Sequence, residues 1–158
     1  MNPRPTTATL DDPPLPTRVK LAAAWTSFTL LYAYVDILNF YTPGTVEEIL
    51  DGRVFEFALS QTFSVSALAL VSVPILMVVL SVALPAKAAR ATTLGVAALY
   101  VPVTVFNLAG GTYLYYYGLG VTLELFVLAL IVRWAWTWPR AVPTVTADGG
   151  AVRARQRV

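Results

Sequence analysis

The chain has 158 residues, 57% of them hydrophobic and 13% charged, with a formal net charge of +2. It has no Cys and no His, which excludes disulfides, thiol redox chemistry, thiolate nucleophiles and His-based metal, haem and triad sites. Soluble domains are nearer ~45–50% apolar and ~25% charged. The apolar excess here comes in blocks of about 20 residues, the length needed to cross a bilayer.

Residues 1–17, MNPRPTTATLDDPPLPT, hold five prolines and no apolar period. They read as a disordered tail, and not as a signal peptide, because the charged start runs into proline and acid. The first span is expected at about residues 21–40 and carries Asp36 and Asn39. The next segment, Thr45-Val-Glu-Glu48, has the spacing of a capping box, with Thr45 as cap and Glu48 reaching back. Val46, Ile49 and Leu50 share one face and Gly52 is a stop. The expectation is a short amphipathic helix lying on the external membrane surface.

The second span is expected at 63–84 with a central Pro74, and the third at 91–109 with Pro102 inside. Interior prolines are tolerated in membrane helices where neighbours satisfy the freed carbonyl, and kinks are expected at both. The link Gly110-Gly111-Thr112 is tight, and the fourth span, about 113–132, carries Glu124. Residues 139–158 read as a basic disordered tail, which leaves 18–138 as one membrane domain. The fold expected is all-α: a polytopic membrane protein with a four-transmembrane-helix bundle. A soluble bundle would need a polar face on every helix.

Ten of the eleven basic residues fall on one side of a four-span chain: Arg4, Arg18, Lys20, Lys87, Arg90, Arg133, Arg140, Arg153, Arg155 and Arg157. The positive-inside rule makes that side cytoplasmic, with both termini inside (N-in/C-in) and the chain multi-pass. Trp25, Trp134, Trp136 and Trp138 are expected near the inner boundary, and Tyr41, Tyr113, Tyr115, Tyr116 and Tyr117 near the outer one.

A carboxylate in hydrocarbon costs about 2.5–3.5 kcal/mol on insertion scales, so Asp36 and Glu124 focus the functional reading. Helical phase aligns Thr29, Tyr32, Asp36 and Asn39 on the first span, and Thr93, Tyr100, Thr104 and Asn107 on the third. Tyr113, Tyr117 and Glu124 align on the fourth, while Gln61 and Ser64 sit at the outer end of the second. The stripes are expected to face one another around an outward-opening pocket closed by apolar packing at the cytoplasmic end. Its candidate lining is Asp36, Glu124, Asn39, Tyr32, Asn107, Gln61, Tyr100 and Tyr117. Arg53, the one external cation, is the candidate to fold over it and pair with Asp36 or Glu124. Arg133 is not Glu124's partner: nine residues put it ~13.5 Å away along the axis.

Three blocks and a long final segment carry a wider resemblance: RVKLAAAWTSF, YAYVDIL, SVPILMVVLS and TYLYYYGLGVTLELFVLALIVRWAWTW. Over roughly residues 18–138 the chain resembles an uncharacterised bacterial family of four-span membrane proteins, a domain of unknown function. The resemblance implies the topology and a bacterial plasma (inner) membrane as the location, and points to Asp36 and Glu124; it implies no activity.

Several functions remain open. A binding or accessory membrane module with an outward pocket fits the outer bias of the polar residues. A small-molecule or proton-coupled transporter would need an oligomer, because four helices are few for alternating access. The carboxylates are otherwise interhelical glue, or an acid–base pair. Nothing supplies a nucleophile, metal cage or phosphate loop, so no catalytic residue, metal or cofactor is expected. The lipid bilayer and a second copy are the expected partners, and nucleic acid is not.

Overall fold

Proline opens the first helix. Pro16, extended at φ −57° and ψ 140°, precedes α1 (Thr17–Asn39), and its carbonyl accepts from Val19 N and Lys20 N. The computed structural model describes residues 13–54, 56–108 and 113–139. Residues 1–12 of the expected tail at 1–17, residues 140–158 of that at 139–158, and the link at 110–112 lie outside them. Beyond α1 come α2 (Thr45–Leu50), the strands β1 (Arg53–Val54) and β2 (Phe57–Ala58), α3 (Gln61–Ala83), α4 (Ala86–Phe106) and α5 (Leu114–Trp136). The four long helices are each long and apolar enough to cross a membrane. They are offset by a few residues from the expected spans, with Lys87 and Arg90 drawn into α4.

The helices alternate in direction. The end carrying α2 and the strands is here termed the hairpin end, and the opposite one the terminal end. α1 packs heavily on α3 and α5, and α5 on α4, while α3 packs more lightly on α4. The core lies toward the terminal end, where Leu21, Ala24, Trp25 and Phe28 meet Met77, Ala97, Tyr100, Leu128, Ile131 and Ala135. Trp25 is fully buried in this core. It stands about 12 Å into α1 at ~1.5 Å per residue, so its indole packs edge-on to Phe28 at 5.9 Å.

Pro74 and Pro102 both lie inside helices. Proline has no N–H, so Pro74 leaves the carbonyl of Leu70 without its helical donor. The hydroxyl of Tyr100 on α4 donates to that carbonyl, which meets the membrane's demand that backbone groups be satisfied internally. Toward the hairpin end, Gln61–Leu70 are exposed at every position but Phe63. The first half of α3 therefore stands off the bundle and its second half is packed.

At the terminal end Arg18 closes α3. Its Nη1 donates to the carbonyls of Val82 (2.7 Å) and Leu84 (2.6 Å), which a helix C-terminus otherwise leaves open. Its guanidinium lies 6.0 Å from the Trp138 ring, and that of Arg90 lies 5.8 Å from Trp136.

The capping box does not form. Gly44 occupies the N-cap at φ 92°, and Thr45 is already the first helical residue with no capping hydrogen bond. The left-handed turn at Gly44 shifts the start by one residue, so Thr45 cannot reach back over the N-terminus. Gly52, at φ 77°, ends the turn as expected. The strands were not anticipated: Arg53 pairs with Ala58 and Val54 with Phe57, and Phe57 stacks on Phe63 at 6.1 Å. The alternation in Arg53-Val54-Phe55-Glu56-Phe57 is the signal that was available.

Candidate functional site

The polar residues gather between α1, α4 and α5 toward the hairpin end. At the rim, Tyr117 Oη donates to Asn39 Oδ1 at 2.7 Å, and Thr42 Oγ1 donates to the same oxygen at 2.9 Å. One turn down, Tyr116 Oη donates to the carbonyl of Val35 at 2.5 Å. The rings of Tyr116 and Tyr117 meet edge-on, 5.2 Å apart. A Cβ on Gly120 would stand 3.0 Å from Val35 Cγ2, so the absent side chain is what lets α5 approach α1 here.

Glu124 lies ten residues beyond Leu114, about 15 Å along α5. It is 1% exposed. Its carboxyl faces the hydroxyl of Thr104 on α4, which is fully buried. The two groups face each other, but among the described residues neither Glu124 Oε2 nor Thr104 Oγ1 makes a hydrogen bond of ordinary length and angle. Tyr32 lies between the levels of Asp36 and Glu124 and faces Asn107. Below them Phe28 packs edge-on against Tyr100 at 5.6 Å and floors the cluster.

These pairings set relative heights. Thr104 is level with Glu124 and Asn107 with Tyr32, so α4 finishes about 10 Å below the hairpin ends of α1 and α5. The first half of α3 also stands off, so among the described residues neither α3 nor α4 covers the upper rim of the cluster. Asp36, only three residues from the end of α1, is solvent-accessible along this rim rather than buried.

The expected lining residues thus divide. Tyr32, Asp36, Asn39, Asn107, Tyr117 and Glu124 come together. Tyr100 is committed to Leu70 and serves as floor. Gln61 is exposed in the first turn of α3, outside the cluster. Arg53 is exposed on β1 and makes no ion pair with Asp36 or Glu124 among the described residues. The backbone of Arg53 is instead paired with Ala58 in the two-stranded ladder. Tyr116 and Tyr117 turn inward, whereas Tyr115 is 95% exposed. Gly120 was the available signal, since a small residue on the Tyr117–Glu124 face marks close helix approach.

Among the described residues no cluster of three or more Asp, Glu, His or Cys is placed to hold a metal. The terminal half is not wholly apolar: Trp25 Nε1, Thr93 Oγ1 and Arg90 Nε are buried there without partners.

No curated protein and no solved structure matches the chain. Residues 16–144 match the model of a family described as "Family of unknown function (DUF6326)", which spans the whole bundle just described, and the chain belongs to that family.

Proposed function

We propose that the protein is a binding or accessory membrane module whose hairpin end faces outward and whose Asp36–Glu124 cluster is a ligand pocket. The observation that carries this is Glu124: a carboxyl 1% exposed, with one oxygen unpartnered and opposite an equally unpartnered Thr104 hydroxyl. An unsatisfied buried polar group costs about 1–3 kcal/mol. A carboxyl kept there as glue would be expected to make its bonds, because interhelical hydrogen bonds are worth only ~0.6 kcal/mol even when formed.

The orientation rests on the basic residues. Arg18, Lys20, Lys87, Arg90 and Arg133 all belong to the terminal end, and Arg53 alone to the hairpin end. The chain has no cysteine, so single Cys substitutions at Asp51 and at Lys87 report sidedness directly. In sealed bacterial cells a membrane-impermeant maleimide should label the first and not the second; the reverse pattern would put the pocket on the cytoplasmic side.

Binding is tested on the purified full chain by ligand-induced thermal shift across cationic, neutral and anionic small molecules. A shift present in the wild type and lost in Asp36→Asn or Glu124→Gln supports the pocket. Shifts that persist unchanged in both variants remove it. A transporter, by contrast, needs a path through the Phe28–Tyr100 layer, which is closed by packed rings.

A further inference from the structure

A groove runs down the outside of the bundle between α1 and α5, in the terminal half. Val19, Ala23 and Ala24 of α1 and Val127 and Leu130 of α5 wall it, and its volume is about 350 Å³. Ala23 is exposed, and the lack of a side chain beyond its Cβ leaves the hollow. From Val19 to Ser27 the groove follows α1 for about 12 Å. One leaflet of hydrocarbon is ~15 Å deep, half of the ~30 Å core. The groove thus lies along the direction of an acyl chain over most of one leaflet.

Its two ends differ. At the deep end the hydroxyl of Ser27 is spent on the carbonyl of Ala23 at 3.0 Å. At the terminal mouth stand Lys20, in the first turn of α1, and Trp134, in the last turn of α5. Among the described residues neither the Lys20 ammonium nor the Trp134 indole N–H makes a hydrogen bond or ion pair. Helical side chains lean toward the helix N-terminus, which in α1 is the terminal end, so Lys20 reaches toward headgroup level. Arg18 is engaged by the carbonyls of Val82 and Leu84, and Arg90 lies over the Trp136 ring. Arg133 is exposed three residues beyond Leu130, on the adjoining face of α5. The described carboxylates are remote. Along α1 the first is Asp36, about 24 Å from Lys20, and along α5 it is Glu124, about 15 Å from Trp134.

The mouth therefore presents donors and positive charge above a narrow apolar channel. The volume spread over its length gives a section of roughly 30 Å², far short of a helix about 10–12 Å across. Irregular backbone suits the wall no better, because its N–H and C=O groups would go unsatisfied against lipid. We propose that this groove seats an anionic phospholipid, with one acyl chain between α1 and α5 and the phosphate held by Lys20 and the indole N–H of Trp134. A zwitterionic headgroup brings its own ammonium, for which the mouth has no described carboxylate. An anionic headgroup leaves its charge to Lys20, and Arg133 adds to the attraction. The site lies in the opposite half of the bundle from the Asp36–Glu124 cluster and does not depend on it.

The test uses the full-length chain in mixed bilayers of phosphatidylcholine and phosphatidylglycerol, with one lipid at a time brominated on its acyl chains. Bromine quenches the indoles that the chains touch, and the contribution of Trp134 is the difference between wild type and Trp134→Phe. Phosphatidylglycerol should be preferred at Trp134 by about fivefold, the scale of one basic residue at a lipid surface. Lys20→Gln should bring the two lipids to parity, and Lys20→Arg should keep the preference. Ala23→Leu fills the groove and retains Lys20, so quenching of Trp134 by both lipids should fall and the preference should disappear.

Equal quenching by the two lipids in the wild type, or a preference unaltered in Lys20→Gln, would overturn the proposal. So would a preference that survives Ala23→Leu, which would mean diffuse attraction to the bilayer surface and no seated lipid. Quenching of Trp134 by neither lipid would put protein in the groove, from this chain or a second copy, and would overturn it as well. Ala23 is exposed and Lys20 half-buried, so neither substitution reaches the core.

Discussion

Tyr100→Phe isolates a single atom whose role follows from a proline on another helix. Tyr100 is 1% exposed, and its ring packs on Phe28. Phenylalanine keeps the ring and deletes only the hydroxyl, which donates to Leu70 O. In an ordinary helix that carbonyl would fall back on the N–H four residues on; here that residue is Pro74. Interhelical hydrogen bonds in membranes average ~0.6 kcal/mol and reach ~1.7, because the broken state usually finds another partner. Leu70 has none to find, so the loss should lie at the upper end, about 1.5 kcal/mol. Pro74→Ala restores the N–H and makes the Tyr100 hydroxyl redundant. In that background Tyr100→Phe should cost a few tenths of a kcal/mol, a coupling of about 1 kcal/mol between two sites. Reversible unfolding in mixed micelles, measured on the wild type, both single variants and the double, gives the cycle. Equal cost in both backgrounds would show that the hydroxyl is not replacing a proline-deleted bond.

Gly120→Ala places a methyl 3.0 Å from Val35 Cγ2 and should cost about 1–3 kcal/mol by overpacking; Val35→Ala should recover most of it, and no recovery would mean the helices do not meet there. Glu124→Leu should raise the unfolding free energy by about 1 kcal/mol, since it removes an unsatisfied buried group, while it abolishes ligand-induced thermal shift. A drop in stability would instead make Glu124 a structural hydrogen-bonding residue. Arg18→Ala withdraws the donor from Val82 and Leu84 and should lower stability by about 1–2 kcal/mol. It should also deprotect the last turn of α3 to hydrogen exchange before the rest of the bundle, and uniform deprotection would contradict the local role.

The helix number is a one-dimensional property. Hydrophobic length and the absence of charge are visible along the chain because each span meets its solvent independently of the others, so the four long helices were readable within a few residues. Helical phase likewise showed which residues share a stripe, and Tyr32, Asn39, Asn107, Tyr117 and Glu124 do come together. What each stripe meets depends on which helix lies beside it and at what height. In a lipid-facing protein apolar side chains occur on every face, so composition carries little of that information. Only the tertiary structure decided that Asp36 stands at an open rim, that Gln61 is left outside on the free half of α3, that Tyr116 turns inward and that Trp25 is core. The start of α2 was lost for a local reason, one left-handed residue at Gly44. The answer to Pro74 lay thirty residues from the freed carbonyl, in the hydroxyl of Tyr100. Sequence determined that the chain carries four helices apolar enough for a membrane; the pairing and relative height of those helices decided that its carboxyls share one cluster.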